Sequence, residues 1–306
     1  MKRTKKILLG TLIGLVLLYL VLIIIAYLPY KTTPVNELAG KDDRFIEVDG
    51  HAIHYTKQGK GEPLIMVHGF AGSTYTFRYL IPLLTDDYTI YALDVLGFGL
   101  SDKPPDGDYD MKSQGDLLIG FMDALKLPSA TLVGHSMGGV IIACTDLAAP
   151  SRVDKLVMIE PGFYIKTVPA FLKYMFFPLD RIMSRQFYTK SMRKRFLLGS
   201  FYNKSMVTEE VIDAYMIPTK TPNALDALSH MMSSVGPQTY DGISVNISSP
   251  TLLVWGERGT GVPPEVARRL NSEIQGSILV SVKECGHYVQ EEKPEELAKA
   301  IRNFVK

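Results

Sequence analysis

The chain begins with an apolar block that shows no helical or strand period. After MKRTKK come residues 7–28, ILLGTLIGLVLLYLVLIIIAYL, without a single charge. At 1.5 Å rise per residue such a helix is roughly 33 Å long, enough to cross a hydrocarbon core of about 30 Å. A secretory signal has a shorter apolar region, about 7–15 residues, and a small-residue cleavage site. Here Tyr27, Leu28, Pro29, Tyr30 and Lys31 follow instead, so the expectation is an uncleaved single-pass anchor. Lys2, Arg3, Lys5 and Lys6 make residues 1–6 a basic tail that should stay cytoplasmic, placing everything after the span on the extracytoplasmic side. Residues 29–42 read as a polar linker.

From Phe45 the pattern changes to short apolar runs alternating with helix-like stretches. FIEVDGHAIHYTKQG contains a D-G turn between two alternating runs, the signature of an opening hairpin. PLIMVHG, YTIYALD, ATLVGHS, KLVMIEP, TLLVWGE and SILVSVKE are apolar runs that end in glycine, polar or acidic residues, as buried parallel strands do. The predicted class is α/β, a mostly parallel, doubly wound sheet covered by helices, with ligand chemistry at the carboxyl ends of its strands. Composition agrees: at 306 residues and 46% hydrophobic the chain can bury a large core. A net charge of +1 gives no electrostatic footprint for nucleic acid. Cys144 and Cys285 alone form neither a disulfide framework nor a metal cluster, and no metal or cofactor is expected.

One strand end carries the strongest local signal: Gly134, His135, Ser136, Met137 and Gly138, between ATLV and the helix-like GVIIACTDLAA. A serine on a sharp strand-to-helix turn needs residues without side chains two before and two after it, and gains exposure for its hydroxyl. Ser136 is therefore the candidate nucleophile. A serine nucleophile needs a neutral imidazole, and His287, after the last predicted strand and before the last helix, is the candidate general base.

These segments resemble the α/β-hydrolase family, in the branch of lipases, esterases, epoxide hydrolases, haloalkane dehalogenases and C–C bond hydrolases. The resemblance covers residues from about 45 to 306 and rests on the turn His68-Gly69-Phe70, the D-x-x-G-x-G-x-S run Asp94–Ser101, the elbow GHSMG and the terminal CGHYVQEEKPEE. It implies a hydrolase core at 43–161 and 242–306 around a helical cap at 162–241. It also implies an oxyanion hole from the backbone N–H groups of Phe70 and Met137. His68 would support the turn. Dehalogenases and epoxide hydrolases of this kind use an aspartate nucleophile, so Ser136 points instead to acyl chemistry on esters, or to C–C bond hydrolysis.

The family pattern W-G-x-x-D-x-x-x-P leaves one gap. Trp255, Gly256 and Pro263 keep its spacing, but Gly259 stands where the acid belongs. Glu160, at the end of KLVMIE, is the preferred substitute, since adjacent strands lie only about 4.8 Å apart. Glu257 is the alternative, and the absence of any acid is a third. The cap sequence is rich in Met, Phe and Tyr yet also holds Arg181, Arg185, Lys190, Arg193, Lys194 and Arg195. It reads either as a packed cap with a solvated basic face or as a surface meeting membrane lipid. The leading expectation is a membrane-anchored serine hydrolase of hydrophobic or lipid esters. A C–C bond hydrolase and a non-catalytic hydrolase-fold receptor are the alternatives.

Overall fold

The computed structural model describes residues 2–164, 178–234, 240, 242–259 and 261–306. Eight strands form one sheet: β1 (Asp43–Val48), β2 (His51–Gly59), β3 (Glu62–Val67), β4 (Tyr88–Leu93), β5 (Ala130–His135), β6 (Val153–Ile159), β7 (Thr251–Gly256) and β8 (Ile278–Val282). Their spatial order is β1-β2-β4-β3-β5-β6-β7-β8, so β6 lies between the Ser136 strand and the Trp255 strand. β1 and β2 form the expected hairpin, and β2 meets β4 antiparallel. The remaining pairs are parallel. Asp49 and Gly50 take φ of 50° and 79°, the positive values that a two-residue hairpin turn demands.

The apolar runs serve both faces because successive side chains point to opposite sides. Ile65, Val67, Leu132, Leu156, Met158, Leu253 and Trp255 enter one core, beneath helices Met111–Ala124, Met137–Ala148 and Pro264–Glu273. Leu64, Met66, Val133, Val157, Ile159, Leu252 and Val254 enter the other, with helix Pro294–Val305. Fully burying one such side chain is worth about 1.5–3 kcal/mol, which is why these strands need no polar face.

Helices Leu179–Phe187, Lys190–Ser200, Glu209–Met216 and Ala224–Ser234 stand between β6 and β7. Leu197, Phe201, Val211, Ile212 and Tyr215 build a small core there that also takes in Tyr288, the neighbour of His287. The aromatic run 165–177 lies outside the described residues. Most cations of this insertion already have protein partners. Lys190 and Lys194 pair with Glu209, and Lys190 also with Asp213. Arg193 is buried, so it belongs neither to a solvated basic face nor to a surface that meets lipid.

The N-terminal helix runs from Lys2 to Ala26, reaches a mean hydropathy of 3.0 over an 18-residue stretch within Thr4–Ala26, and leaves most of its large apolar side chains exposed. It stops two residues before the expected end at Leu28. There the Nε–H groups of Arg181 and Arg185 both donate to the Ala26 carbonyl, at 3.0 and 3.1 Å. A helix end leaves its last carbonyls without intrahelical donors, and the two arginines supply them. Arg181 also sits over the Tyr27 ring, and the Thr33 N–H donates to Lys220 O at 2.7 Å. The apolar helix is thereby fastened to the insertion rather than hung from a free linker.

Candidate active site

Ser136 occupies the turn between β5 and helix Met137–Ala148 with φ 51° and ψ −114°. A positive φ is costly for a residue with a Cβ, and here it is held by hydrogen bonds. The Ser136 N–H donates to Ile159 O, and the Gly162 N–H donates to Ser136 O, both at 2.9 Å. The two flanking glycines are required: a Cβ on Gly134 would lie 2.4 Å from Gly138 O, and one on Gly138 would lie 2.2 Å from Val67 O. Ser136 is partly exposed while the residues on either side of it are buried.

Glu160, one residue past β6, is fully buried with φ 42°. Its Oε2 lies 2.6 Å from His287 Nδ1, and its Oε1 accepts the Gly256 N–H at 2.9 Å. The structure thus brings together His287 and the preferred acid. Gly259 explains itself in the same place. A Cβ there would lie 2.4 Å from Glu160 Oε1, and a Cβ on Gly261 would lie 2.7 Å from His287 Nδ1. The position where the family pattern puts its aspartate has been emptied, and the Glu160 carboxylate fills the space. Glu257 is exposed, its N–H donating to Val282 O at 2.9 Å, and no described bond links it to His287.

His287 is fixed by its backbone as well. Its N–H donates to Ser200 O at 2.8 Å, and its carbonyl lies 3.0 Å from His135 Nε2. Burial, then the neighbouring His287, push the pKa of His135 well below the usual histidine range. His135 is accordingly neutral and donates from Nε2. The two imidazoles pack at 4.7 Å between centroids, so the histidine beside Ser136 is a platform for His287. Sequence reasoning treated His135 only as the elbow's neighbour. A histidine ending a buried strand has to find a partner, and that was the available signal.

The turn after β3 faces Ser136 directly, since a Cβ on Gly69 would lie 3.0 Å from Ser136 Cβ. His68 Nδ1–H donates to Gly69 O at 2.7 Å, and its Nε2 accepts the Val95 N–H at 3.3 Å. Burial lowers its pKa, consistent with that neutral tautomer. The Gly72 N–H closes the turn on Gly69 O at 3.0 Å. Among the described residues, nothing accepts from the N–H of Phe70 or of Met137. Asp94 underpins this turn, accepting from Thr74 N–H at 2.7 Å, Leu100 N–H at 2.8 Å and His54 Nδ1 at 2.6 Å. The D-x-x-G-x-G-x-S run is thus scaffolding: a Cβ on Gly99 would fall 1.9 Å from the Asp94 carboxylate.

Known proteins place this arrangement. The model of the α/β hydrolase fold family matches residues 62–294. The uncharacterized hydrolase YugF of Bacillus subtilis (strain 168) is 33% identical over 271 residues, covering 86% of this chain and 97% of YugF. The meta-cleavage product hydrolase CumD from Pseudomonas fluorescens IP01 superposes with a TM-score of 0.74 at 26% identity, over 88% of this chain and 98% of CumD. A membrane phospholipase A described as a bacterial virulence factor shares the fold, with a TM-score of 0.71 at 23% identity over 98% of each chain. With the family matched across most of its length and the sheet order that carries the Ser136 turn, this chain is a hydrolase of the α/β-hydrolase family.

Proposed function

We propose that the protein is a membrane-anchored serine hydrolase that cleaves carboxylic esters, with lipidic esters as the substrate class, through an acyl-enzyme on Ser136. The observation that carries this reading is the 2.6 Å pair of Glu160 and His287 beside a serine held at positive φ. In the forward step His287 Nε2 takes the Ser136 hydroxyl proton as Oγ attacks the acyl carbon. The C–O bond then breaks, and His287 returns the proton to the leaving alcohol. Water hydrolyses the acyl-enzyme by the same route. Glu160 holds the tautomer with hydrogen on Nδ1 and stabilises the imidazolium, and the N–H groups of Phe70 and Met137 receive the oxyanion. The apolar helix Lys2–Ala26 and its attachment to the insertion favour a substrate drawn from lipid.

Hydrolysis of a C–C bond is the second reading, favoured by the likeness to CumD, and it would use the same serine and histidine. A non-catalytic receptor, the reading that Gly259 motivates, is disfavoured by the Glu160–His287 pair. Fluorophosphonate labelling of Ser136, with turnover of p-nitrophenyl esters of graded chain length, monoacylglycerols and a ring-cleavage diketone, tests all three. Ser136→Ala and His287→Ala should each lower kcat about 10⁶-fold, and their double variant should be scarcely worse. Glu160→Gln should lower kcat about 10⁴-fold, while Glu257→Gln leaves it within twofold. A folded protein that resists the probe and turns over none of these substrates would sink the enzymatic reading.

A further inference from the structure

The turn that offers the Phe70 N–H is held from two directions. From the core, His68 and the Gly72 N–H fix the Gly69 carbonyl, and Phe98 packs on the Phe70 ring at 5.7 Å between centroids. From the insertion, the Nη1–H of Arg193 donates to the Ala71 carbonyl at 3.0 Å, and Phe187 packs on Phe70 at 5.6 Å. The Arg193 guanidinium also lies over the Phe187 ring, 5.4 Å from its centroid. Arg193 and Phe187 therefore grip the carbonyl and the side chain on either side of one peptide. Ala71 needs the grip, because its φ of 55° is strained for a residue with a Cβ.

Arg193 is 2% exposed, yet no carboxylate among the described residues pairs with it, and its Nε has no partner there. Its electrostatic neighbours are Tyr288, Tyr188 and Tyr215. A buried cation without a counter-ion is costly, and such groups are kept where the charge or its directed donors perform a task. The task is not the binding of a free anion. The cavity beside Arg193, between Ala71, Gly72, Phe98, Tyr188 and Thr219, measures about 10 Å³, room for one water. On its other wall Lys103 already spends its three donors on the carbonyls of Phe98, Gly99 and Ser101.

We propose that Arg193 is a positioning residue: by holding the Ala71 carbonyl it sets the Gly69–Gly72 turn so that the Phe70 N–H faces the oxyanion formed at Ser136. The insertion then completes the hydrolytic site instead of only roofing it. The inference rests on the serine-hydrolase reading, and its consequences differ from those of that reading. Removing one oxyanion donor typically costs about 10²–10³ in kcat, so Arg193→Met should lower kcat roughly 100-fold with KM within threefold. Arg193→Lys, which keeps the stem and one donor, should recover a good part of the loss.

The test uses the full-length protein in detergent, with neutral p-nitrophenyl butyrate and an anionic ester of equal length. A second readout is affinity for an alkyl trifluoromethyl ketone, whose hemiketal on Ser136 needs the oxyanion hole. It should weaken in step with kcat/KM, while affinity for the corresponding non-electrophilic alcohol stays unchanged. An active wild type whose Arg193→Met variant retains kcat and ketone affinity within threefold overturns the inference alone. So does a loss confined to KM for the anionic ester, which would make Arg193 a substrate contact. A wild type inert towards both the esters and the ketone overturns the serine-hydrolase reading and this inference together. If Arg193→Met does not fold, Arg193→Gln, which is too short to reach the Ala71 carbonyl, decides: a fall in kcat with matching loss of ketone affinity supports positioning, and unchanged values refute it.

Discussion

A single carboxylate has changed its strand, and the residues around it record the change. Glu160 reaches His287 from the end of β6, whereas the family pattern brings its acid from the loop after β7. The two solutions exclude each other, since a side chain at 259 would begin 2.4 Å from Glu160 Oε1. Gly259→Asp alone should therefore be harmful twice over: it crowds the Glu160 carboxylate and sets two like charges in one buried site, where one must take up a proton. We expect kcat/KM to fall roughly 100-fold. Glu160→Gly, which relieves the positive φ of 42°, should then improve that variant although it cripples the wild type. Ester kinetics on the two single variants and the double variant measure this reversal. A double variant less active than both singles would refute the exchange of acids. At this scale the sequence was legible where spacing is rigid: the glycines around Ser136 and the intact Trp255–Pro263 register marked the acid position as empty and made Glu160 the preferred substitute, with Glu257 or no acid still open. Gly261 was not legible, because its need for openness comes from an imidazole that is 26 residues away in the chain and adjacent only in space.

Elements are joined by a buried charge cluster that no local pattern announces. His54 in β2 lies 2.9 Å from Asp43 in β1 and 2.6 Å from Asp94 after β4, so one imidazole pins the hairpin to the sheet and to the loop beneath the oxyanion turn. Burial works against its charge, but Asp94 and Asp43 outweigh burial and raise its pKa to about 9. A group raised in this way stabilises the fold fully below its unfolded pKa of roughly 6.5. That contribution is lost as pH rises through about 9. The shift corresponds to something on the order of 3 kcal/mol at neutral pH. Thermal unfolding of the detergent-solubilised protein should show the Tm advantage of the wild type over His54→Gln shrinking by roughly 5–10 °C between pH 7 and pH 10. His54→Gln should start lower and lack this loss, while the buried Lys103, whose pKa burial lowers to about 8, titrates in both proteins and cancels in the comparison. An equal slope in both proteins would remove His54 as the cause. The alternation of FIEVDGHAIHYTKQG made the hairpin readable, yet it said nothing of this cluster, whose members lie 11 and 40 residues apart in sequence.

For the whole molecule, apolar runs of strand length and their polar ends were enough to read the class of sheet, since the inner runs are buried on both faces, whereas the last run, expected to be buried as well, is an edge strand with Ile278 and Ser281 exposed. The insertion was less readable. Its cations looked alike in sequence, but the fold sends Arg193 inward, pairs Lys190 and Lys194 with acids, and places Arg181 and Arg185 on the end of the N-terminal helix. That last contact gives the apolar helix a structural consequence. If the helix spans a bilayer, Ala26 lies at its far face, and the hydrolase is held against that face by Arg181, Arg185 and the Thr33 bond to Lys220. Which face it is follows from charge. Lys2, Arg3, Lys5 and Lys6 precede the apolar stretch, while Lys31 is the first cation after it, so the expectation to be tested is an N-terminus retained in the cytoplasm and a hydrolase domain outside it. Protease added to intact cells or spheroplasts should digest the hydrolase domain while a cytoplasmic marker survives. Reversing the bias, with Lys2, Lys5 and Lys6 changed to Gln and three lysines inserted after Tyr30, should move a measurable fraction of the domain into protection. Full protection of the unaltered protein until lysis would place the enzyme in the cytoplasm, and release of an N-terminally shortened soluble form would make the helix a cleaved signal.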